Sequence, residues 1–250
     1  MDRMDRPVAT KSKAEQVVQQ LLDRIIDAGL APGSCLGTEA QLLAQYGVSR
    51  PTLRESLRIL DAQGVLELRP GPGGGILVRR PSIDIPAHGL SVFLRLHEVP
   101  FIEVLKAREV IEPALAAAAA INGAETDFDE LALSIERMRT IKDQDTFIEE
   151  NREFHSIVAR ASANRVLEAF WSTISIMAAG EHQGVRYSPS NQRHVIDAHQ
   201  GILEACRARD GKAAAKQMAA HVTDLEHLVR KRYQRLLTQP SSRVAKQSRR

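Results

Sequence analysis

The sequence predicts a mainly α protein in two modules: a short front module of three helices and a glycine-tipped hairpin, then an all-α antiparallel bundle. Three observations carry this. Apolar residues recur at helical spacing along most of the chain, and strand-like alternation is confined to "VLELR" and "ILV" near residues 65–78. Charge is divided: residues 1–81 hold 11 Lys/Arg against 9 Asp/Glu, residues 82–229 hold 15 against 22, and residues 230–250 hold 8 against none. A mildly basic front, an acidic body and a basic end suit modules with different partners. "RRPSIDIPAHG" then breaks both patterns with two prolines, which places a linker at 81–88 between modules at 10–80 and 89–236.

At 250 residues, 43% hydrophobic and 26% charged, each module has material for its own core. No apolar run approaches the ~20 residues of a membrane span. The start, "MDRMDRPVATKSK", lacks a secretory apolar core. Cys35 and Cys206 form no CxxC pair, so a reduced, cytoplasmic chain without disulfides is expected.

In the front module, Val17, Val18, Leu21, Leu22, Ile25 and Ile26 mark a helix that stops at Gly29, and "LAPGS" reads as a turn. Thr38 and Gln41 have capping-box spacing for a short helix that Gly47 ends. Ser49 caps the next helix, Pro51 sits in its first turn where no N–H is needed, and Gly64 closes it. Within it Leu53, Leu57 and Leu60 share a ~60° arc, while Arg50, Arg54 and Arg58 fan over a separate ~80° arc. One reading of the arginines is a solvated face balanced by Glu55 and Asp61.

Two short helices joined by a tight turn, followed by a hairpin with a "PGPGGG" tip, form a winged helix-turn-helix, a DNA-binding arrangement. The second helix enters the major groove by its N-terminal end. Arg50 and Arg54 are then placed for guanine edges or phosphates, Arg58 for backbone, and Thr52 is small enough for a base or phosphate. Gly71 and Gly73 let the wing backbone approach the sugar-phosphate or minor groove. A merely flexible hairpin is the alternative. A phosphate-binding loop is excluded, because no GxxxxGK[ST] is present and the glycines lead into a strand.

The stretch "LLDRIIDAGLAPGSCLGTEAQLLAQYGVSRPTLRESLRILDAQGVLELRPGPGGGILV" resembles the winged-helix domain of the GntR family of bacterial transcription regulators. The matching marks, as they stand in this sequence, are I-x-x-G-x-x-P-G, T-E-x-x-L-x-A, G-V-S-R-x-T-x-R-E-x-L-x-x-L and the glycine wing. Family members often carry a DNA-touching Arg directly after the Glu of the preceding helix. Here Ala40 stands there, which implies one contact fewer or an altered operator preference.

The back module divides into helices near 89–97, 100–122, 127–142, 145–161, 164–185, 190–208 and 211–236, with a polar, basic, disordered tail expected at 237–250. Asn151 and His155 lie one turn apart inside the apolar arc of Phe147, Ile148, Phe154 and Val158. His199 falls amid Val195, Ile196, Ile202, Leu203 and Cys206, and His221 amid Ala214, Met218, Leu225 and Leu228; His194 and His227 project away. A buried imidazole needs a partner, either a neighbour within its own surroundings or a shared metal ion. Arg108 lies on the inward stripe of Phe101, Val104, Leu105, Ile111 and Leu115. It reads either as a structural pair with Glu112 or as an anion site. Trp171 and Arg186 are further candidates for a cavity lining.

This module is similar to the all-helical ligand domain of the FadR-like, FCD-type branch of GntR regulators. That branch has an Asp or Asn, three residues, then His, followed by two further His about 22 residues apart. Asn151, His155, His199 and His221 match this pattern, and "KAREVIEPALAAAAA" matches the branch's first long helix, whose Arg corresponds to Arg108. The resemblance implies a divalent metal, Zn or Ni, on Asn151, His155, His199 and His221, and a small organic acid effector on Arg108. It implies a repressor that is not an enzyme and binds an inverted-repeat operator as a homodimer. Asn151 in place of the commoner Asp leaves more of the ion's charge uncompensated, which weakens metal affinity and favours an anionic ligand. The alternatives are a metal-dependent enzyme acting on a small organic acid, and an architectural DNA-binding protein without an effector.

Overall fold

The structure, a computed structural model, describes residues 11–69, 71, 75–178 and 186–232. Residues 1–10, the wing tip including Gly73, residues 179–185 and the expected tail lie outside the described residues. The chain divides into two compact units, one ending at Ile85 and the other beginning at Pro86.

The front unit runs α1 (Lys13–Asp27), β1 (Cys35–Gly37), α2 (Glu39–Tyr46), α3 (Arg50–Ala62), β2 (Leu66–Arg69) and β3 (Gly75–Val78). The Thr38–Gln41 capping box forms with both of its bonds, Thr38 N donating to Gln41 Oε1 at 2.7 Å and Gln41 N to Thr38 Oγ1 at 3.3 Å. Gly47 ends α2 at φ +62°, the left-handed conformation that glycine adopts without a Cβ penalty. Ser49 caps α3 by accepting from Thr52 N, and Pro51 occupies the first turn. Leu53, Leu57 and Leu60 point into a core with Val17, Leu21, Leu36, Leu42, Leu66 and Ile76. Ser56 Oγ, buried in that core, donates to Ala14 O at 3.0 Å and ties α3 to α1.

Reading residues 30–34 as a turn and passing directly to α2 misses a strand. β1 pairs antiparallel with β3, which also pairs with β2, in the order β1-β3-β2. Three residues with one inward side chain, Leu36, show no period that a sequence can register.

From α4, which crosses the boundary between the units, the described elements are all helices: α4 (Asp84–Leu96), α5 (Phe101–Asn122), α6 (Glu125–Thr140), α7 (Gln144–Ala161), α8 (Arg165–Ala178), α9 (Pro189–Arg207) and α10 (Gly211–Arg232). α5 packs against α7, α8, α9 and α10 and forms the centre of the bundle. Leu115 of α5 is fully buried, as are Phe128, Leu131 and Ile135 of α6 and Phe147 and Phe154 of α7. α4 starts at Asp84 rather than 89, inside the stretch expected as linker, with Pro86 in its first turn where no N–H is required.

Candidate functional site

Each of three helices delivers one imidazole to the interior of the back unit. α7 carries His155, α9 His199 and α10 His221, all buried. His221 Nε2 lies 3.2 Å from His155 Nε2 and 3.2 Å from His199 Nε2. One nitrogen from each ring falls within 4.8 Å of the other two. The ring of Phe154 stacks on His199 at 3.7 Å between centroids and fixes its plane. The convergence expected of these histidines is therefore present.

Electrostatics favour the neutral, ligating form of His199 and His221. Burial holds the His199 and His221 pKa values well below the usual imidazole range, and the neighbouring imidazoles push in the same direction. Without a shared cation, His221 Nε2 cannot serve both neighbours: it has either one proton or one lone pair. Two nitrogens ~2.0–2.1 Å from one tetrahedral ion stand about 3.3 Å apart, close to the observed contacts. Asn151, one turn before His155 on α7, is buried with an Oδ1 that has no hydrogen-bond partner, a further donor oxygen for a cation. The residues fit a divalent metal.

Glu112 completes the cluster. Its Oε1 accepts from Arg108 Nε at 2.5 Å, so the Arg108–Glu112 pair does form, with both side chains buried. Its Oε2 stands 2.6 Å from His155 Nδ1. The two atoms are within ion-pair distance but are not aligned as a hydrogen bond; a carboxylate so close favours a proton on Nδ1, which leaves the Nε2 lone pair for the other imidazoles. Burial alone would raise the Glu112 pKa, yet Arg108 and His155 overcome it and hold the pKa at about 2.

Arg108 also lines two openings beside the triad. One is a narrow crevice shared with Asn151, His155 and Trp171, whose ring lies 5.6 Å from the Arg108 guanidinium carbon. The other is a cavity of about 240 Å³ lined by Arg108, Asn151, Tyr187, Asn191, His194 and His221 among others. Asp224 lies at this second cavity too, with Oδ2 2.7 Å from His194 Nε2. Trp171 thus meets the expected lining role, whereas Arg186 is exposed and lines neither opening. Sequence reasoning missed Tyr187, Asn191 and Asp224; for Asp224 a signal existed, because three residues after His221 brings it near the same face of α10.

In the front unit, Arg50, Arg54 and Arg58 are exposed on α3, on an arc next to that of the buried leucines, and Thr52 is half-buried beside them. Thr52 Oγ1 lies 2.8 Å from Ser49 Oγ. A cleft of about 590 Å³ runs between α3 and the hairpin, lined by Thr38, Glu39, Arg54, Arg58, Arg69 and Gly71 among others. Gly71 adopts φ +98°, so a side chain there would be strained.

A winged helix-turn-helix with an outward arginine row, on the same chain as a helical unit with a buried polar site, defines a DNA-binding transcription regulator. Residues 13–77 match the family described as "Bacterial regulatory proteins, gntR family", and residues 103–224 match the FCD domain. The chain belongs to the GntR family and carries an FCD domain. Among curated relatives, the "HTH-type transcriptional repressor NanR" of Citrobacter rodentium is 27% identical, covering 88% of this chain and 86% of that protein. A "Putative L-lactate dehydrogenase operon regulatory protein" of Escherichia coli strain K12 is 28% identical, covering 90% and 89%. Among solved structures, "Streptococcus agalactiae GntR" aligns with a TM-score of 0.65 at 22% identity, over 86% of this chain and 99% of that one, and shares the fold. The family and these relatives are regulators, so the metal-dependent enzyme reading is set aside.

Proposed function

We propose that this chain is a cytoplasmic repressor whose grip on operator DNA is controlled by a small organic acid bound beside a divalent metal in the helical unit. The observation that carries this is the meeting of three imidazole nitrogens within 4.8 Å, next to cavities that Arg108 also lines. Asn151, His155, His199 and His221 would hold the ion, zinc or nickel by the preference of imidazole donors. When bound, the ion supplies positive charge and open coordination positions for an acid's carboxylate or hydroxyl. Glu112 and Arg108 cancel each other's charge, and Asn151 adds none, so the metal's charge calls for an anionic ligand. The Arg108 guanidinium then orients the acid's carboxylate.

On the DNA side, Arg50, Thr52, Arg54, Arg58 and the wing around Gly71 and Gly73 contact the duplex, and a homodimer matches an inverted repeat. Support for pairing of two copies comes from α4, which exposes Leu90, Phe93 and Leu96 at helical spacing. Among the described residues no helix is long and apolar enough to cross a membrane. For the acid to act, it must bind the two DNA-affinity states unequally, by a few kcal/mol. Elemental analysis combined with mobility shifts over a panel of hydroxy, sugar and dicarboxylic acids tests the reading. Bound metal and acid-dependent release support it; a metal-free protein, or DNA binding indifferent to every acid, contradicts it.

A further inference from the structure

Glu39 and Arg54 form a two-point contact across the helix-turn-helix. Arg54 Nε donates to Glu39 Oε1 at 3.0 Å, and Arg54 Nη2 donates to Glu39 Oε2 at 3.4 Å. Glu39 opens α2 directly after the Thr38 cap, and Arg54 sits in the second turn of α3, so two separately capped helices set the geometry. Arg54 remains exposed, at 61% against 33% for Glu39. An ion pair this exposed adds little to folding stability. A carboxylate beside a DNA-facing surface also repels phosphates, so as a plain affinity device it is misplaced.

We propose that Glu39 is a specificity-determining, positioning residue that holds Arg54 end-on for a guanine. A guanidinium has five N–H donors in one plane. The contact with Glu39 occupies the Nε side of that plane. The outer fork formed by the two terminal nitrogens is then presented along the side-chain axis, the shape that matches guanine O6 and N7. An arginine held this way cannot swing to a phosphate without breaking two bonds, so it rewards a guanine more than it rewards the backbone. The carboxylate weakens binding to every duplex lacking that guanine. Ala40, the neighbouring residue, offers no second cation to compete for Glu39.

The test uses the full-length chain and a duplex selected by that chain from a randomised pool, together with the same duplex substituted one base pair at a time. Glu39→Gln is expected to lower discrimination at one G·C position about tenfold, within the range of one bidentate base contact, while binding to unselected duplex strengthens. In an Arg54→Ala background the Glu39→Gln change is expected to leave base preference unaltered, because the effect runs through Arg54. The proposal is overturned if Glu39→Gln tightens all duplexes alike with base preference unchanged. It is equally overturned if the loss of preference persists when Arg54 is absent.

Discussion

Glu112 Oε2 lies 2.6 Å from His155 Nδ1 while its Oε1 accepts from Arg108 at 2.5 Å, so one buried carboxylate joins the candidate acid clamp to the candidate metal ligands. This gives the two halves of the site a shared part. A metal ion on His155 and an acid at Arg108 act on the two ends of the same side chain, and any coupling between them is reciprocal.

Replacing Glu112 with Gln removes the charge that orients His155. Metal affinity is expected to fall 10–100-fold, the range for orienting groups behind a ligand, as read by competition with a chromophoric chelator. Unchanged affinity would leave Glu112 as a partner of Arg108 alone.

Arg108→Ala strands a fully buried carboxylate and is expected to destabilise the chain by about 3–5 kcal/mol. Adding Glu112→Gln to that variant is expected to recover much of the loss, because the stranded charge is gone. Urea denaturation of the two single variants and the double variant measures this. Additive losses would show that the pair is not energetically linked.

The metal-free chain is expected to lose stability as pH falls below about 6.5. His199 and His221 have depressed pKa values when folded, so the unfolded chain takes up protons there that the folded chain refuses. Each imidazole contributes at most about 1.4 kcal/mol per pH unit in that window. Glu112, with a folded pKa of about 2, adds a further loss only below the ordinary carboxylate range. Denaturation midpoints that stay level from pH 7 to pH 5 would count against neutral, buried imidazoles.

Arg54→Ala is expected to weaken operator binding by about 10–100-fold, the range of one lost bidentate base contact, and to leave thermal stability nearly unchanged, since its side chain is exposed and its ion pair is a surface one. Anisotropy on a selected duplex, with a melting curve as control, separates lost contact from lost fold.

The sequence was most informative where one helix face decides the outcome. The 3.6-residue period placed Leu53, Leu57 and Leu60 inward and the arginines of α3 outward, and it placed His155, His199 and His221 inside the bundle. It could not show that the three imidazoles meet, because that depends on how α7, α9 and α10 lie against α5. For the same reason Glu112 was legible as a neighbour of Arg108 on its own helix, and illegible as a neighbour of His155, which comes from α7. Glu39 was hidden likewise, being 15 residues from Arg54 with a turn between them. β1 escaped because its pairing is set by β3 rather than by any pattern of its own.

The central claim is that the converging imidazoles form a metal site, and elemental analysis of purified wild-type chain beside His199→Ala tests it most directly. Stoichiometric zinc or nickel in the first and its loss from a still-folded second is the predicted result. A wild-type chain that stays metal-free when refolded with either ion, or a variant with undiminished occupancy, would contradict it.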